Sequence, residues 1–341
     1  MKPDFARRRK SLKRLMEKIG LDAIMTSNTN EVLYYTGYAG LKEDRIFMIF
    51  PLDGVPKLAV SSLENEADRL YSNVIYMKEA RDFVEHLKRY RVIGYDERVT
   101  NILIHQELQK LKARLEPAAA MLEAQRIVKD AYEIEQLRKA AAISGRALAK
   151  VSERLAGRNE KAIADALEIE YRKLGAEGAF EPIVCAGGNT QFVHHRPSAK
   201  IIKAKDPVLI DTGCRFNGYC SDITRVFFRR LDARHRKVYG DVKQVHEELI
   251  ANIRAGVAYK DLEALHNSMF RKKHYGITHN FGHGVGLSIH EPTGDVLREN
   301  AVITVEPGVY IRNFAGFRIE DMVVVKKGKA EVLSKTIPIL E

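Results

Sequence analysis

The 341-residue chain has no tryptophan and only three cysteines, Cys185, Cys214 and Cys220. Cysteines so few and so late exclude the disulfide framework of a small secreted domain. No stretch approaches the roughly 18 consecutive apolar residues of a membrane-crossing helix. The opening Met1-Lys2-Pro3-Asp4 has no apolar signal core. A cytoplasmic chain that does not engage a membrane is the expectation. Basic residues exceed acidic ones by 56 to 45, which gives a net charge of +11. Yet the one dense basic run, Arg7-Arg8-Arg9-Lys10 with Lys13 and Arg14, is interleaved with Phe5, Leu12, Leu15, Met16 and Ile19 and stopped by Gly20. That spacing predicts an amphipathic helix with a solvated basic face. Zinc-finger spacing and an aromatic RNA-binding strand are both missing. Nucleic acid is therefore not an expected partner.

At roughly 100–200 residues per domain, the length points to two domains. Residues 1–117 alternate strand and helix, as a small α/β domain does. Apolar strands read at Asp22–Thr26, Arg45–Phe50, Lys57–Val60, Val74–Tyr76 and Val92–Tyr95, and helices at Leu63–Leu70, Ala80–Tyr90 and Asn101–Leu111. Ala113–Met121 reads as a connector. In the second domain, 118–341, Asp130 and Glu133 form a capping box ahead of a helix facing inward through Ile134, Leu137, Ala141, Leu148 and Val151. Another helix starts at Asn159 and ends at Gly175. Strands 207–212 and 219–228 follow, then helices 234–255 and 259–273, then strands 301–311 and 317–325. The order ααββ thus occurs twice, and a site between such halves would draw residues from both.

Asp211 ends the apolar run Val208-Leu209-Ile210, and Asp222 lies within the next strand. Between them Asn217-Gly218 predicts a two-residue type I′ turn, since both positions accept positive φ. That turn would set Phe216 opposite Tyr219, Gly213 opposite Asp222 and Asp211 opposite Thr224. The two aspartates then share a face as diagonal neighbours, roughly 7–8 Å apart, with a hole expected at Gly213. Carboxylates pointing into one space repel unless a cation lies between them. Solvated strand carboxylates are the other reading. Cys220 would share Asp222's face and Cys214 the opposite one, which disfavours a disulfide between them.

Further on, His279-Asn280-Phe281-Gly282-His283-Gly284-Val285-Gly286-Leu287 leads to His290-Glu291-Pro292. Its glycine spacing is not that of a dinucleotide loop. Glu306 and Glu320 each interrupt an apolar strand, where an unpaired charge is costly. Each alone reads as half of an ion pair. Together with a histidine and the aspartate pair, they read as hard oxygen ligands plus one imidazole, enough for two divalent ions. Such a pair activates water for hydrolysis without a covalent enzyme intermediate, and no G-x-S-x-G elbow offers a serine nucleophile instead.

Asp211 and Asp222 in DTGCRFNGYCSDITR, His283 in GHGVGL, Glu306 in VEPGVY and Glu320 in GFRIED resemble the metallopeptidase family with the pita-bread fold, which includes creatinase, prolidase, aminopeptidase P and methionine aminopeptidase. The stretch Asn30–Tyr38, NEVLYYTGY, is similar to the N-terminal domain of creatinase, prolidase and aminopeptidase P. The resemblance implies an α+β chain with a C-terminal pita-bread domain and a smaller N-terminal creatinase-like α/β domain. It implies two divalent ions, manganese or cobalt first and iron or zinc next, held by Asp211, Asp222, His283, Glu306 and Glu320. Asp222 and Glu320 would bridge them, and Glu306 would shuttle the proton of the bridging water, the nucleophile. His194 would contact substrate and His290 would stabilise the tetrahedral intermediate. Arg318 and Phe180 would act as a ligand-supporting arginine and a pocket wall. Without the family, His194 and His195 read as loop histidines with backbone partners. A small peptide substrate and a homodimer complete the implication.

Within that family the closest likeness is to prolidase, which hydrolyses Xaa-Pro dipeptides. One departure stands out: the stretch after His290-Glu291 is short and lacks the arginine that holds a dipeptide's carboxylate, the next one being Arg298. Aminopeptidase P activity on longer Xaa-Pro peptides stays open on that ground. A binding module without catalysis would be expected to have lost ligands, and all five are present.

Overall fold

The computed structural model describes residues 2–39, 46–64 and 66–335. It divides into two compact units that meet in sequence between Gln125 and Arg126. In the first, α1 (Phe5–Ile19) is capped by the Asp4 carboxylate, which accepts from the Arg7 N–H at 2.9 Å, and ends at Gly20 with φ 72°. Leu12 and Met16 are buried, but Ile19 is 51 % exposed. The basic run is not uniformly solvated either. Arg8 is buried, with its guanidinium donating to the Tyr34 carbonyl and lying 4.2 Å from the Tyr34 ring centroid.

Then come β1 (Ala23–Thr26), α2 (Thr29–Thr36), β2 (Phe47–Pro51), β3 (Lys57–Ser61), α3 (Ala67–Leu70), β4 (Val74–Met77), α4 (Ala80–Glu85), β5 (Val92–Tyr95), α5 (Ile102–Gln109), β6 (Arg114–Pro117) and α6 (Ala119–Arg126). The strands form one sheet in the order β4-β3-β2-β1-β5-β6. Met25, Ile49, Phe83, Leu87, Ile93 and Leu108 share its core. The NEVLYYTGY stretch forms most of helix α2, capped by Asn28. Two expectations are corrected. The presumed connector 113–121 is strand β6 and the start of α6. The helices expected at 63–70 and 80–90 are shorter, at Ala67–Leu70 and Ala80–Glu85. Arg45, the expected start of the second strand, lies outside the described residues.

The second unit opens with α7 (Ala131–Ser152), whose capping box between Asp130 and Glu133 is complete. Next are α8 (Glu160–Lys173), β7 (Glu177–Gly178), β8 (Ile183–Ala186), a 3₁₀ turn over Gly187–Gln191, β9 (Val208–Thr212), β10 (Cys214–Phe216), β11 (Tyr219–Cys220) and β12 (Ile223–Phe227). The second half carries α9 (Ala233–Asn252), α10 (Tyr259–Lys272), β13 (Val302–Val305), β14 (Gly308–Tyr310), β15 (Gly316–Arg318), β16 (Asp321–Val324) and β17 (Glu331–Val332). Leu148, Ile163, Leu167, Tyr171 and Ile210 pack together in the first half, and Val242, Leu249, Phe281, Ile303 and Phe317 in the second. The Glu320 N–H donates to the Thr224 carbonyl at 3.1 Å and so ties one half to the other. No helix among the described residues is long and apolar enough to cross a membrane.

The hairpin register is the one the turn predicts. Phe216 pairs with Tyr219 and Asp211 with Thr224, and Asn217 and Gly218 have φ 49° and 87°. The expected hole at Gly213 is absent, however. A Cβ there would lie 1.9 Å from the Ser221 carbonyl oxygen and 2.8 Å from the Phe180 ring, so backbone and phenyl fill the space. The long strands are also interrupted. Asp222 lies between β11 and β12, Glu306 between β13 and β14, and Glu320 between β15 and β16.

Candidate metal centre

A residue at a strand break is free of the alternation that fixes side-chain direction within a strand. That lets carboxylates from successive hairpins converge. Asp222, His283 and Glu320 each offer a ligand atom within 4.8 Å of the others. His283 Nε2 lies 3.7 Å from Asp222 Oδ2 and 3.4 Å from Glu306 Oε1. Asp211 is held from the other side by Arg318, whose Nη2 donates to Oδ2 at 2.5 Å. Its Oδ1 is buried and has no hydrogen-bond partner among the described residues.

The electrostatics say what this cluster is short of. Burial, then the charges of Asp211 and Glu306, hold the Asp222 carboxyl well above the usual range. Burial, then Asp222, Asp211 and Glu306, does the same to Glu320. Glu306 is pushed up to about 7, by burial first and, against the opposing Arg318 charge, by Asp211. Two buried acids and a part-buried third, each with its pKa raised by burial and by neighbouring carboxylates, beside Asp211 with its orphan oxygen, describe a site built around positive charge. The imidazole fits as well. His283 Nδ1 lies 3.0 Å from the Gly284 carbonyl, which can only accept, so in the neutral ring Nε2 keeps its lone pair and faces the carboxylates. Burial pushes that ring's pKa down to about 4, so it is neutral at pH 7. Hard oxygens plus one imidazole suit a divalent first-row cation.

A hydrogen-bonded chain through Arg318 supports the cluster, and its Thr224, Tyr310 and His279 are not among the residues expected at the site. Arg318 Nε donates to the Thr224 hydroxyl at 3.0 Å, and that hydroxyl donates to Glu320 Oε2 at 2.8 Å. Arg318 Nη1 donates to Tyr310 Oη, which is 3.1 Å from His279 Nε2. His279 stands four residues before His283 and Tyr310 ends VEPGVY, so both lay in motifs already singled out. Spacing alone does not say that a side chain has a buried partner. Thr224→Val removes the hydroxyl between Arg318 and Glu320. Its Mn²⁺ affinity, measured by calorimetry, is expected to fall about 10–100-fold; unchanged affinity would exclude that support.

The other candidates surround this centre. The His290 ring centroid is 4.3 Å from that of His283, and His290 is exposed. His194 is exposed on its loop and close enough to His279 to act on its charge. Phe180 is half-buried against Gly213. The glycines of the histidine loop serve backbone packing: a Cβ at Gly282 would meet the Thr304 carbonyl oxygen at 2.0 Å, and one at Gly286 would meet the Glu291 carboxylate at 2.5 Å. All three cysteines are free and buried.

A chain whose larger unit gathers buried acids and one imidazole between two like halves has the build of a metallohydrolase. Residues 135–327 match Metallopeptidase family M24, and residues 8–128 match the Creatinase/Prolidase N-terminal domain. A Xaa-Pro dipeptidase of Pyrococcus furiosus is 30 % identical over 96 % of this chain and 98 % of that protein. The solved prolidase of Pyrococcus horikoshii superposes with a TM-score of 0.92 at 28 % identity, covering 98 % of this chain and all of that one (100 %). An X-Pro aminopeptidase of Thermotoga maritima gives 0.86 at 29 % identity, covering 97 % and 98 % of the two chains. The chain belongs to metallopeptidase family M24, with a creatinase-type N-terminal domain and a C-terminal pita-bread domain.

Proposed function

We propose that the protein hydrolyses the bond before proline in Xaa-Pro dipeptides, with two divalent ions held by Asp211, Asp222, His283, Glu306 and Glu320. The convergence of these residues in one buried, mutually repelling cluster carries the reading. The near full-length likeness to a Xaa-Pro dipeptidase supports the substrate. Bound divalent ions supply a water of lowered pKa and polarise a scissile carbonyl. The carboxylate-rich set favours manganese, and its imidazole admits cobalt, iron or zinc.

The chain's own residues do the rest. Glu306, 3.4 Å from His283 Nε2, is the group that takes and returns a proton. His194 contacts the substrate from its loop, and His290, beside His283, donates to the oxygen that gains charge in the tetrahedral intermediate. Arg318 holds Asp211 in place through its 2.5 Å contact. Phe180 gives the proline ring an apolar wall. A bond to proline suits such a site because its nitrogen has no hydrogen and its ring fixes φ. The same reading takes the protein as a cytoplasmic homodimer, which light scattering decides as far as the dimer goes.

One observation favours a second substrate class. Between Glu291 and Arg298 no arginine stands ready for a dipeptide's carboxylate, and Arg298 itself is exposed. Aminopeptidase P action on longer Xaa-Pro peptides is that alternative. The test is hydrolysis of Met-Pro and Met-Pro-Ala by protein loaded with manganese or cobalt. Cleavage of Met-Pro alone is the expected result. Equal or faster cleavage of Met-Pro-Ala assigns the aminopeptidase. Cleavage of neither peptide with either metal overturns the Xaa-Pro reading.

A further inference from the structure

Outside the metal cluster lies another buried acid with an unusual set of partners. Glu160 is the first residue of α8, and its side chain is 0 % exposed. Among the described residues its only ion-pair partner is His195. The carboxylate is instead enclosed by donors from the segment that follows β8. Oε1 accepts from the Ala186 N–H at 2.8 Å and from Asn189 Nδ2 at 2.9 Å. Oε2 accepts from the Ser198 N–H at 3.1 Å, the Ser198 hydroxyl at 2.6 Å and His195 Nε2 at 2.9 Å. Five donors outnumber the roughly four lone-pair sites of a carboxylate. Neither oxygen is left for a proton, and their combined effect holds the acid below its usual range although burial pushes the other way.

The donors come from both ends of one stretch, Ala186 to Ser198. It holds the 3₁₀ turn and an irregular run, and has no ladder bonds of its own beyond β8. Its middle is tied to the second half through Thr190, which accepts from the Gly316 N–H at 2.9 Å, and Gln191, which accepts from the Asn313 N–H at 2.8 Å, while the Glu160 carboxylate bonds both ends; functional groups on loops need such support. His195 points to Glu160, while its neighbour His194 is exposed and influences His279, which is linked through Tyr310 to Arg318. The acid therefore grips one histidine of the pair and leaves the other turned out.

We propose that Glu160 is a positioning residue: it clamps both ends of the 186–198 segment and so presents His194 to the substrate. This rests on the reading of His194 as a substrate contact given above. Glu160 touches no member of the metal cluster, so its effect is separable from metal binding. A packing role alone would alter stability without depending on which residue occupies position 194.

The experiment is a double-mutant cycle on full-length, manganese-loaded protein with His194→Ala, Glu160→Gln and the two combined, assayed on whichever of the two peptides above the wild type cleaves. Glu160→Gln is expected to lower kcat/KM by up to about 10²-fold, as a misplaced substrate contact does, while leaving Mn²⁺ affinity by calorimetry unchanged. The combined variant is expected to fall no further than His194→Ala alone. If Glu160→Gln does not fold, Ser198→Ala, which removes one hydroxyl donor, is expected to show a smaller loss with the same dependence on His194. Additive losses, or none from either variant, would overturn the proposal while leaving the role of His194 intact. An inert His194→Ala, or a wild type that cleaves neither peptide, would remove the reading of the site and this proposal with it.

Discussion

Asp222→Asn is expected to lower peptide hydrolysis by on the order of 10³-fold, about 4 kcal/mol of transition-state stabilisation, and to reverse its rank in stability when metal is removed. In chelator at pH 8 the wild-type fold must either hold Asp222, Glu306 and Glu320 charged together in burial or keep protons on them against their ordinary pKa. Both options cost free energy. Asparagine keeps the shape and removes one of the charges, so the metal-free variant is expected to melt above the metal-free wild type. With manganese at 100 times its Kd, the wild type gains about 2.7 kcal/mol, roughly 5–10 °C for a unit of this size. The variant gains little, and the order inverts. Calorimetric scans in chelator and in manganese check this. A variant that melts below the wild type in both, or that gains as much from manganese, would show that Asp222 is not a ligand carboxylate.

The second large effect lies in a buried triad beside the histidine loop. Glu291 Oε1 accepts from Arg126 Nε at 3.1 Å, and Oε2 accepts from Lys129 Nζ at 2.7 Å, with all three side chains at most 3 % exposed. Oε1 also accepts from the Leu287 and Ser288 N–H groups, so the turn carrying His290 hangs on the same acid. Glu291→Gln leaves two cations buried without their counter-charge and is expected to cost about 3–5 kcal/mol at pH 7. Burial alone would raise the Glu291 pKa, but Lys129 and Arg126 overcome it and hold the carboxyl below its usual range. An acid depressed in this way stabilises the fold above its unfolded pKa, about 4.3, and loses that contribution as pH falls through the lower folded value. Denaturant unfolding at pH 7, 5 and 3.5 should therefore show the gap between wild type and variant narrowing with acidity. A gap that stays constant, or is missing at pH 7, would falsify this account.

Much of this was legible in the chain, for reasons that differ from part to part. Asn217-Gly218 admits one turn geometry, and a two-residue turn leaves no freedom in the pairing beyond it, so Asp211 opposite Thr224 followed directly. Asp130 with Glu133, and Asn159 ahead of Glu160, announce helix starts because their side chains satisfy N–H groups that a helix leaves open. The breaks in the long strands left no such mark. Val302–Tyr310 and Gly316–Val324 read as near-continuous β runs, and only Pro307 hints at an interruption. Short strands such as β7 and β17, with two residues each, are too brief to show a period. Strand β6 was hidden for another reason: its exposed or half-exposed Arg-Leu-Glu-Pro looks like a linker. The partners of Glu160, Glu291 and Arg318 are the least readable of all. Most of them join residues from 26 to 165 positions apart, and nothing in the spacing of a charged residue says which distant group will reach it.

The register of the Asn217-Gly218 hairpin has a consequence for what changes of length the chain can bear. Surface turns are ordinarily where insertions and deletions are accepted with least harm. Here Asp211 and Asp222 lie on opposite limbs, and the pairing that brings them level keeps one register from Phe216–Tyr219 at the turn to Asp211–Thr224. One residue added to the loop that shifted the second limb, rather than being absorbed in a longer loop or bulge, would move every side chain on that limb to the other face. Asp222 would then leave the cluster although its own codon was untouched. The turn, whose Gly218 carbonyl accepts from the same Arg215 that reaches the Leu287 carbonyl of the histidine loop, is thus sensitive to a change in length, while substitutions there that keep the turn leave the carboxylates where they are.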